Sequence, residues 1–101
     1  MKNIVITGLG AVTPVGIGVE NYWQGLMEKR CGIEKIARFP DEDLAITIAG
    51  EVKNFDPCEY MPAKLAKETG TFIQFAYAAA AEAISQSGIR IENEPHRVGI
   101  V

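Results

Sequence analysis

The segment IVITGLGAVTPVG, residues 4–16, indicates more about the fold than any other part of this 101-residue chain. An apolar β-branched triplet, residues 4–6, leads directly into a glycine-rich turn. This order is typical of a buried strand in a parallel α/β sheet, which delivers its backbone to a functional edge of the sheet. We therefore predict a buried strand over residues 3–8.

The same segment contains part of a dinucleotide-binding loop, since Gly8 and Gly10 match the first two glycines of Gly-x-Gly-x-x-Gly. The third glycine position holds Thr13, however, and Pro14 follows where the phosphate-binding helix would already have begun. Proline in a helix interior removes a hydrogen bond and clashes with the preceding turn. The next helical pattern begins only near Val19. A small nucleotide-binding α/β domain is therefore the weakest of the alternatives.

Hydrophobic periodicity predicts an amphipathic helix over residues 19–29, with Gly32 able to cap its exit. Residues 45–52 alternate and are rich in Ile and Thr, which favours a short extended segment. Residues 54–62 are expected to be irregular, and residues 98–101 to open another strand. Strands separated by helices indicate a parallel α/β topology with right-handed crossovers.

The longest predicted element is a helix over residues 71–87, ended by Gly88. Gln74 and Glu82 are the only plainly polar side chains in its apolar stretch. A helix that is apolar nearly all round is covered on more than one side. We interpret its alanine-rich face as a packing surface and not as a ligand site.

Composition excludes several function classes. Ten basic and thirteen acidic residues give a formal net charge of −3, whereas a dedicated nucleic-acid binder carries a basic excess. No run approaches the roughly 18 apolar residues that span a bilayer. The N-terminal residues do not resemble a secretory signal, so we predict a cytoplasmic location, with neither membrane nor nucleic acid as a partner.

The two cysteines, Cys31 and Cys58, lie far apart, without metal-site spacing and without a disulfide framework. Cys31 follows two basic residues, a setting typical of nucleophilic cysteines. The only histidine, His96, is remote in sequence from both cysteines. We interpret both cysteines as structural or incidental. We predict no catalytic residue, metal ligand or cofactor site within this chain.

Residues 5–16, VITGLGAVTPVG, resemble the opening of the β-ketoacyl-[acyl-carrier-protein] synthases, Val-Val-Thr-Gly-Leu-Gly-x-x-Thr/Ser-Pro-Val-Gly. The resemblance continues without a gap along essentially the whole chain and is greatest for synthase II, the long-chain elongating type. Further matching positions are Val19-Glu20, Trp23, Cys31-Gly32-Ile33, Phe39, Ala49-Gly50, Val52-Lys53, Phe55, Phe72-Ile73-Gln74, Ala76, Ala83, Ser87-Gly88 and Arg97-Val98-Gly99. These enzymes are elongating condensing enzymes of the thiolase superfamily.

The resemblance implies the layered α/β fold of the thiolases, with residues 1–101 as the beginning of its N-terminal half. It implies an acyltransferase of fatty acid biosynthesis that condenses malonyl-carrier protein with an acyl chain, with loss of CO2. Members of the family are several times longer, and their nucleophilic cysteine and two histidines lie beyond residue 101. We therefore expect the chain to be an inactive N-terminal piece of a homodimeric enzyme. A non-catalytic, chain-length partner subunit carries the same signature and stays open as an alternative.

The resemblance also implies a binding site for the acidic acyl carrier protein, at a basic cluster ahead of the long helix. Lys64 and Lys67 occupy positions that are basic in relatives. The family pattern continues approximately Arg/Lys-Arg/Lys-Met-Asp-x-Phe, whereas this chain has KETGTF at residues 67–72. Glu68 reverses one charge and Gly70 replaces an acid, which weakens or moves the docking patch. The alternative is that both lysines only keep a helix start soluble.

Overall fold

The computed structural model describes residues 2–101. Met1, the first residue of the predicted domain, lies outside the described residues. The helices and strands, in chain order, are α1 (Val19–Met27), β1 (Ile33–Lys35), β2 (Ile48–Gly50), α2 (Ala63–Glu68) and α3 (Thr71–Ser87). Short 3-10 turns lie at Pro57–Glu59, Ile91–Asn93 and Pro95–Arg97. None of the helices within residues 2–101 has the length and apolar character needed to cross a membrane.

The long helix forms as the sequence predicts. α3 spans Thr71–Ser87, and Gly88 follows it in the left-handed conformation at φ 71°. A glycine at this position ends a helix without the steric cost that a Cβ atom would bring. Gly88 therefore terminates α3 directly after Ser87.

The first helix is shorter than predicted, and Gly32 does not cap it. α1 ends at Met27, and Lys29 adopts a left-handed φ of 57°. The Lys29 N–H donates to the Leu26 carbonyl oxygen at 3.0 Å, and the Arg30 N–H donates to that of Gly25 at 2.8 Å. This pair of bonds is a Schellman motif, which satisfies the terminal carbonyls before the chain reaches the glycine.

The sheet of the described residues is an antiparallel pair, whereas the predicted parallel topology concerned strands that are separated by helices. β1 pairs with β2 in the register Ile33↔Gly50, Glu34↔Ala49 and Lys35↔Ile48. β2 lies within the predicted extended segment, whereas β1 was not predicted. The connection of β1 to β2 contains no helix, so the crossover that parallel pairing requires is missing between them.

The predicted strands over residues 3–8 and 98–101 do not form within the described chain. Strand formation needs a neighbour to accept and donate ladder hydrogen bonds, and neither segment has one. Ile4, Val5 and Ile6 are 100%, 71% and 82% exposed. Their consecutive apolar side chains are those of a strand buried on both faces, but residues 2–101 cover neither face.

The core is small and lies between α3 and the segments that cross it. Met61 and Ala78 are the only apolar side chains classed as buried in the described chain. Phe55 stacks on Tyr60 at 5.4 Å between ring centroids and meets Phe75 edge-on at 4.9 Å. The radius of gyration is 16.8 Å, whereas a compact domain of this length has about 13 Å.

α3 is covered on one side, not on several as predicted. Its other side remains open, with Phe72 77% exposed and Ile73, Tyr77 and Ile84 exposed to 42–44%. An exposed apolar surface of this kind is typical of an interaction site.

Candidate functional site

The glycine-rich segment lies directly on α3. A Cβ atom on Gly8 would overlap the carbonyl oxygen of Ala83, and one on Gly10 would overlap that of Ala79. The backbone of the segment therefore approaches the helix more closely than any side chain at these positions would permit. The two glycines serve packing against α3.

Polar side chains of α3 accept the N–H groups that this approach presents. The Leu9 N–H donates to Gln86 Oε1 at 2.6 Å. The Ala11 N–H donates to Glu82 Oε1 at 3.0 Å, and the Val19 N–H donates to Glu82 Oε2 at 2.9 Å. Glu82 thus joins the glycine-rich segment, the start of α1 and α3 through one carboxylate.

The position of Glu82 bears on the nucleotide alternative. Val19 is the first residue of α1, and its cap residue, Gly18, has no side chain that could accept a hydrogen bond. Free N–H groups and the helix dipole at such an end favour an anion. Here the Glu82 carboxylate supplies that negative charge, so a phosphate at this helix end would meet an acid already in place.

The second polar residue of α3 holds α2. Gln74 Nε2 donates to the carbonyl oxygens of Ala66, at 2.9 Å, and Thr69, at 3.2 Å. The Thr69 hydroxyl donates to the Leu65 carbonyl oxygen at 2.8 Å. These bonds satisfy carbonyls at the end of α2 and fix this short helix next to the N-terminus of α3.

Both predicted docking residues lie on α2. Lys64 and Lys67 are exposed, and their spacing of three places them on neighbouring positions of one helix face. Neither ammonium group has a carboxylate oxygen within 4.0 Å among residues 2–101, and Glu68 forms no salt bridge with them. Two unneutralised cations therefore stand side by side on the surface.

A groove of about 510 Å³ lies beside the α2–α3 junction. It is lined by residues of the segments 37–38 and 51–57 and by the first turn of α3. Arg38 Nη2 donates to the Thr71 hydroxyl oxygen at 3.1 Å across it. The Glu51 carboxylate accepts the backbone N–H groups of Ala37, at 2.9 Å, and Arg38, at 3.2 Å, which orients the loop that carries the arginine.

Among residues 2–101, three groups have displaced pKa values. Hydrogen bonding and charge attraction from Glu34 raise the pKa of Lys53. Hydrogen bonds from Gln24 and Arg30 lower the pKa of the Glu28 carboxyl group at the end of α1. Burial, followed by the nearby acidic residues, raises the pKa of Tyr60. All three shifts favour the protonation state of neutral pH, so none marks a poised catalytic acid or base.

The cysteines and the histidine do not form a catalytic group. Cys31 and Cys58 are exposed free thiols, and Cys31 Sγ lies 3.4 Å from the Ile33 carbonyl oxygen. No hydrogen bond links either thiol to His96 in the part of the chain that the structure describes. Within the same residues no cluster of His, Cys, Asp and Glu could hold a metal ion.

The sequence did not predict three features of the structure. These are the helix α2, the capping roles of Gln74 and Glu82, and the placement of Arg38 beside Thr71. α2 has a local signal, since residues 63–68, AKLAKE, are strong helix formers that follow a proline. The capping and placement depend on contacts between residues far apart in sequence, for which the chain offers no local signal.

Known proteins resemble this chain along its whole length. Residues 1–101 match the family model described as "Beta-ketoacyl synthase, N-terminal domain". A 3-oxoacyl-[acyl-carrier-protein] synthase 2 from Synechocystis is 43% identical over 101 residues, covering 99% of this chain and 24% of that protein. The Vibrio harveyi protein of the same name is 40% identical over 100 residues, covering 98% and 24%. The chain thus spans about a quarter of the length of these relatives.

A solved structure is also similar. It is described as "The ishigamide ketosynthase/chain length factor" and superposes with a TM-score of 0.74 at 34% sequence identity. The match covers 88% of this chain and 22% of that one.

Proposed function

The chain belongs to the β-ketoacyl synthase family, and on that premise we propose that it is the N-terminal part of a 3-oxoacyl-[acyl-carrier-protein] synthase. The predicted α/β class of thiolase type is confirmed by the family match and the structural similarity. The observation that carries the function is the match of residues 1–101 to the family together with relatives that are named as such synthases. The proposed reaction is chain elongation in fatty acid biosynthesis.

The chemistry of that reaction requires groups that this chain does not bring together. In the condensation the bond between the malonyl carboxylate and its α-carbon breaks, CO2 leaves, and the resulting enolate attacks the acyl thioester carbon, releasing thiolate. A cysteine thiolate must carry the acyl group, and hydrogen-bond donors must stabilise the thioester oxygen. We propose that residues beyond this chain supply the cysteine and two histidines. Residues 1–101 then contribute scaffold and a docking surface.

The test uses the complete gene product. We expect it to become acylated on a cysteine outside residues 1–101 and to release CO2 from malonyl-carrier protein. The chain of residues 1–101 alone is expected to do neither. Acylation of Cys31 or Cys58 above the level of a free-cysteine control would refute the assignment of residues 1–101 to a supporting role.

A second candidate function is a non-catalytic, chain-length partner subunit. The specific observation that favours it is the similar solved structure, whose name pairs a chain length factor with a ketosynthase. The two candidates separate on the complete gene product. A partner subunit would bind a synthase and change product length, but it would not be acylated.

We propose acyl carrier protein as the partner, docked at Lys64 and Lys67. Support comes from the exposed and unneutralised positions of both lysines on α2 and from the names of the relatives, which specify an acyl carrier protein. The cytoplasmic location and the homodimer stay predictions.

Reversing both lysines to Glu should raise KM for acyl carrier protein and leave the reaction with small thioester analogues unchanged. Surface charges act mainly on encounter, so the effect should shrink as added salt shortens the Debye length to about 8 Å and below. The matched control reverses Lys29 and Arg90, two exposed cations that have no salt bridge among residues 2–101 and lie outside α2. An equal rise in KM for the control would reduce the effect to net charge alone and refute the docking site.

A further inference from the structure

The guanidinium group of Arg38 lies beside the α2–α3 junction. Its hydrogen bond to the Thr71 hydroxyl, at 3.1 Å, brings a residue from the loop after β1 to the first residue of α3. This contact spans 33 positions of sequence. It places a third cation next to the helix that carries Lys64 and Lys67.

Arg38 is not neutralised by a neighbouring acid. No carboxylate oxygen lies within 4.0 Å of its guanidinium among residues 2–101. The nearest acid in the hydrogen-bond network, Glu51, accepts the backbone N–H groups of Ala37 and Arg38. Gly70, immediately before Thr71, has no side chain. The charge of Arg38 is therefore available to a partner.

The three cations lie close enough to act on one partner. Thr71 is four residues after Lys67, which limits the distance between their Cα atoms to about 14 Å. Gln74 holds the connection in place by donating to both Ala66 and Thr69. A separation of this size lies within the footprint of a single protein partner, which covers about 800 Å² on each side of a standard interface.

We propose that Arg38 belongs to the surface that docks an acidic carrier protein, together with Lys64 and Lys67. The inference rests on the proposed function and goes beyond it by adding a residue from a different part of the chain. The occupant fits by charge, since Arg38, Lys64 and Lys67 are all exposed to solvent and an acidic partner would be attracted to all three. Glu68 stands on α2 where the family pattern has a basic residue. Arg38, from the loop after β1, supplies a positive charge in its place.

The experiment measures the affinity of the complete gene product for the acyl carrier protein of the same organism at low and high salt. Arg38→Ala should weaken binding about two- to fivefold at low salt, which is the effect expected for an exposed ion pair. Arg38→Lys, which keeps the charge, should recover most of the loss. The weakening by Arg38→Ala and the recovery by Arg38→Lys should both diminish at high salt.

The matched control is Arg90→Ala. Arg90 is also exposed, without a salt bridge among residues 2–101, and it follows the far end of α3, a helix of 17 residues or roughly 25 Å. Equal weakening by the two substitutions would overturn the proposal. Thr71→Val removes the hydrogen bond and leaves the charge in place, so a loss that follows Thr71→Val and persists at high salt would identify a purely structural role and also overturn it.

The outcomes separate this inference from the proposed function. If the lysine reversal weakens binding and Arg38→Ala does not, the docking site stands and the role of Arg38 is refuted. If neither substitution changes affinity, the carrier-protein site on this chain fails as a whole. Reaction with a small thioester analogue should be unchanged in all variants, because none of these residues is proposed to touch the reacting atoms.

Discussion

Replacing Glu82 with alanine should detach the start of α1 and the glycine-rich segment from α3 at the same time. The carboxylate accepts the Ala11 N–H at 3.0 Å and the Val19 N–H at 2.9 Å. A hydrogen bond to a charged group contributes about 1.5–3 kcal/mol, and loss of a helix cap costs about 0.5–2 kcal/mol. Since Glu82 is only half-buried, the lower values apply. The two lower values, one for the hydrogen bond from Ala11 and one for the cap at Val19, give an expected local loss of about 2 kcal/mol.

Amide hydrogen exchange in the complete gene product measures this loss where it occurs. At about 1.4 kcal/mol for each factor of ten, exchange of the Ala11 and Val19 amides should accelerate by about 30-fold. Glu82→Gln should lie between wild type and alanine, because one amide oxygen can still accept while the charge is gone.

The control is Glu20→Gln, which removes the same charge from the first turn of α1. Glu20 is exposed and acts on the helix end mainly through the dipole, a contribution of about 0.3–1 kcal/mol. Exchange at Ala11 should not respond to it. If Glu82→Ala leaves Ala11 protected, or if the two substitutions have equal effects, Glu82 is not the connection described above.

Gly10→Ala should destabilise the complete gene product by on the order of 3 kcal/mol in a thermal melt, because the new Cβ would overlap the Ala79 carbonyl oxygen. Gly70→Ala, with its nearest contact at 3.6 Å, should have little effect, and equal melting of the two variants would contradict the packing role. Tyr60 should ionise above the ordinary tyrosine pKa of about 10, because burial raises its pKa. Its stabilising contribution is therefore complete below that pH and is lost as pH rises through the raised pKa. The absorbance of tyrosinate measures this ionisation, and Tyr60→Phe should remove the component that ionises at the highest pH. The isolated 101-residue chain should associate at micromolar concentration through its exposed apolar segments. Light scattering that shows a monomer, together with a cooperative thermal melt of that monomer, would refute this.

Features coded by neighbouring residues were predictable from the sequence. The bounds of α3 follow from the 3.6-residue period and from Gly88, and both are contained within residues 71–88. The family assignment likewise depends on residue types in a fixed order, of which residues 5–16 are the clearest. The candidate lysines follow from that order, and their role in docking stays a prediction.

Features that depend on distant contacts were not predictable. β1 is three residues long and mainly polar, so it has no periodicity of its own and exists through its pairing with β2. The converse holds for residues 3–8, which have the composition of a strand but no pairing partner within the described chain. Strand composition reports what a segment would bury, whereas strand formation depends on a neighbour that the segment does not encode.

The resemblance of Gly8–Gly10 to a nucleotide-binding loop has a physical origin in the structure. In both settings glycines let the backbone approach a partner closely and present its N–H groups to an acceptor. In a nucleotide site the acceptor is a phosphate, and a helix must start at once to add its own N–H groups. Here the acceptors are Gln86 and Glu82, which α3 supplies, so α1 can begin as late as Val19. The late helix start in the sequence therefore distinguishes a loop that packs on a helix from one that binds phosphate.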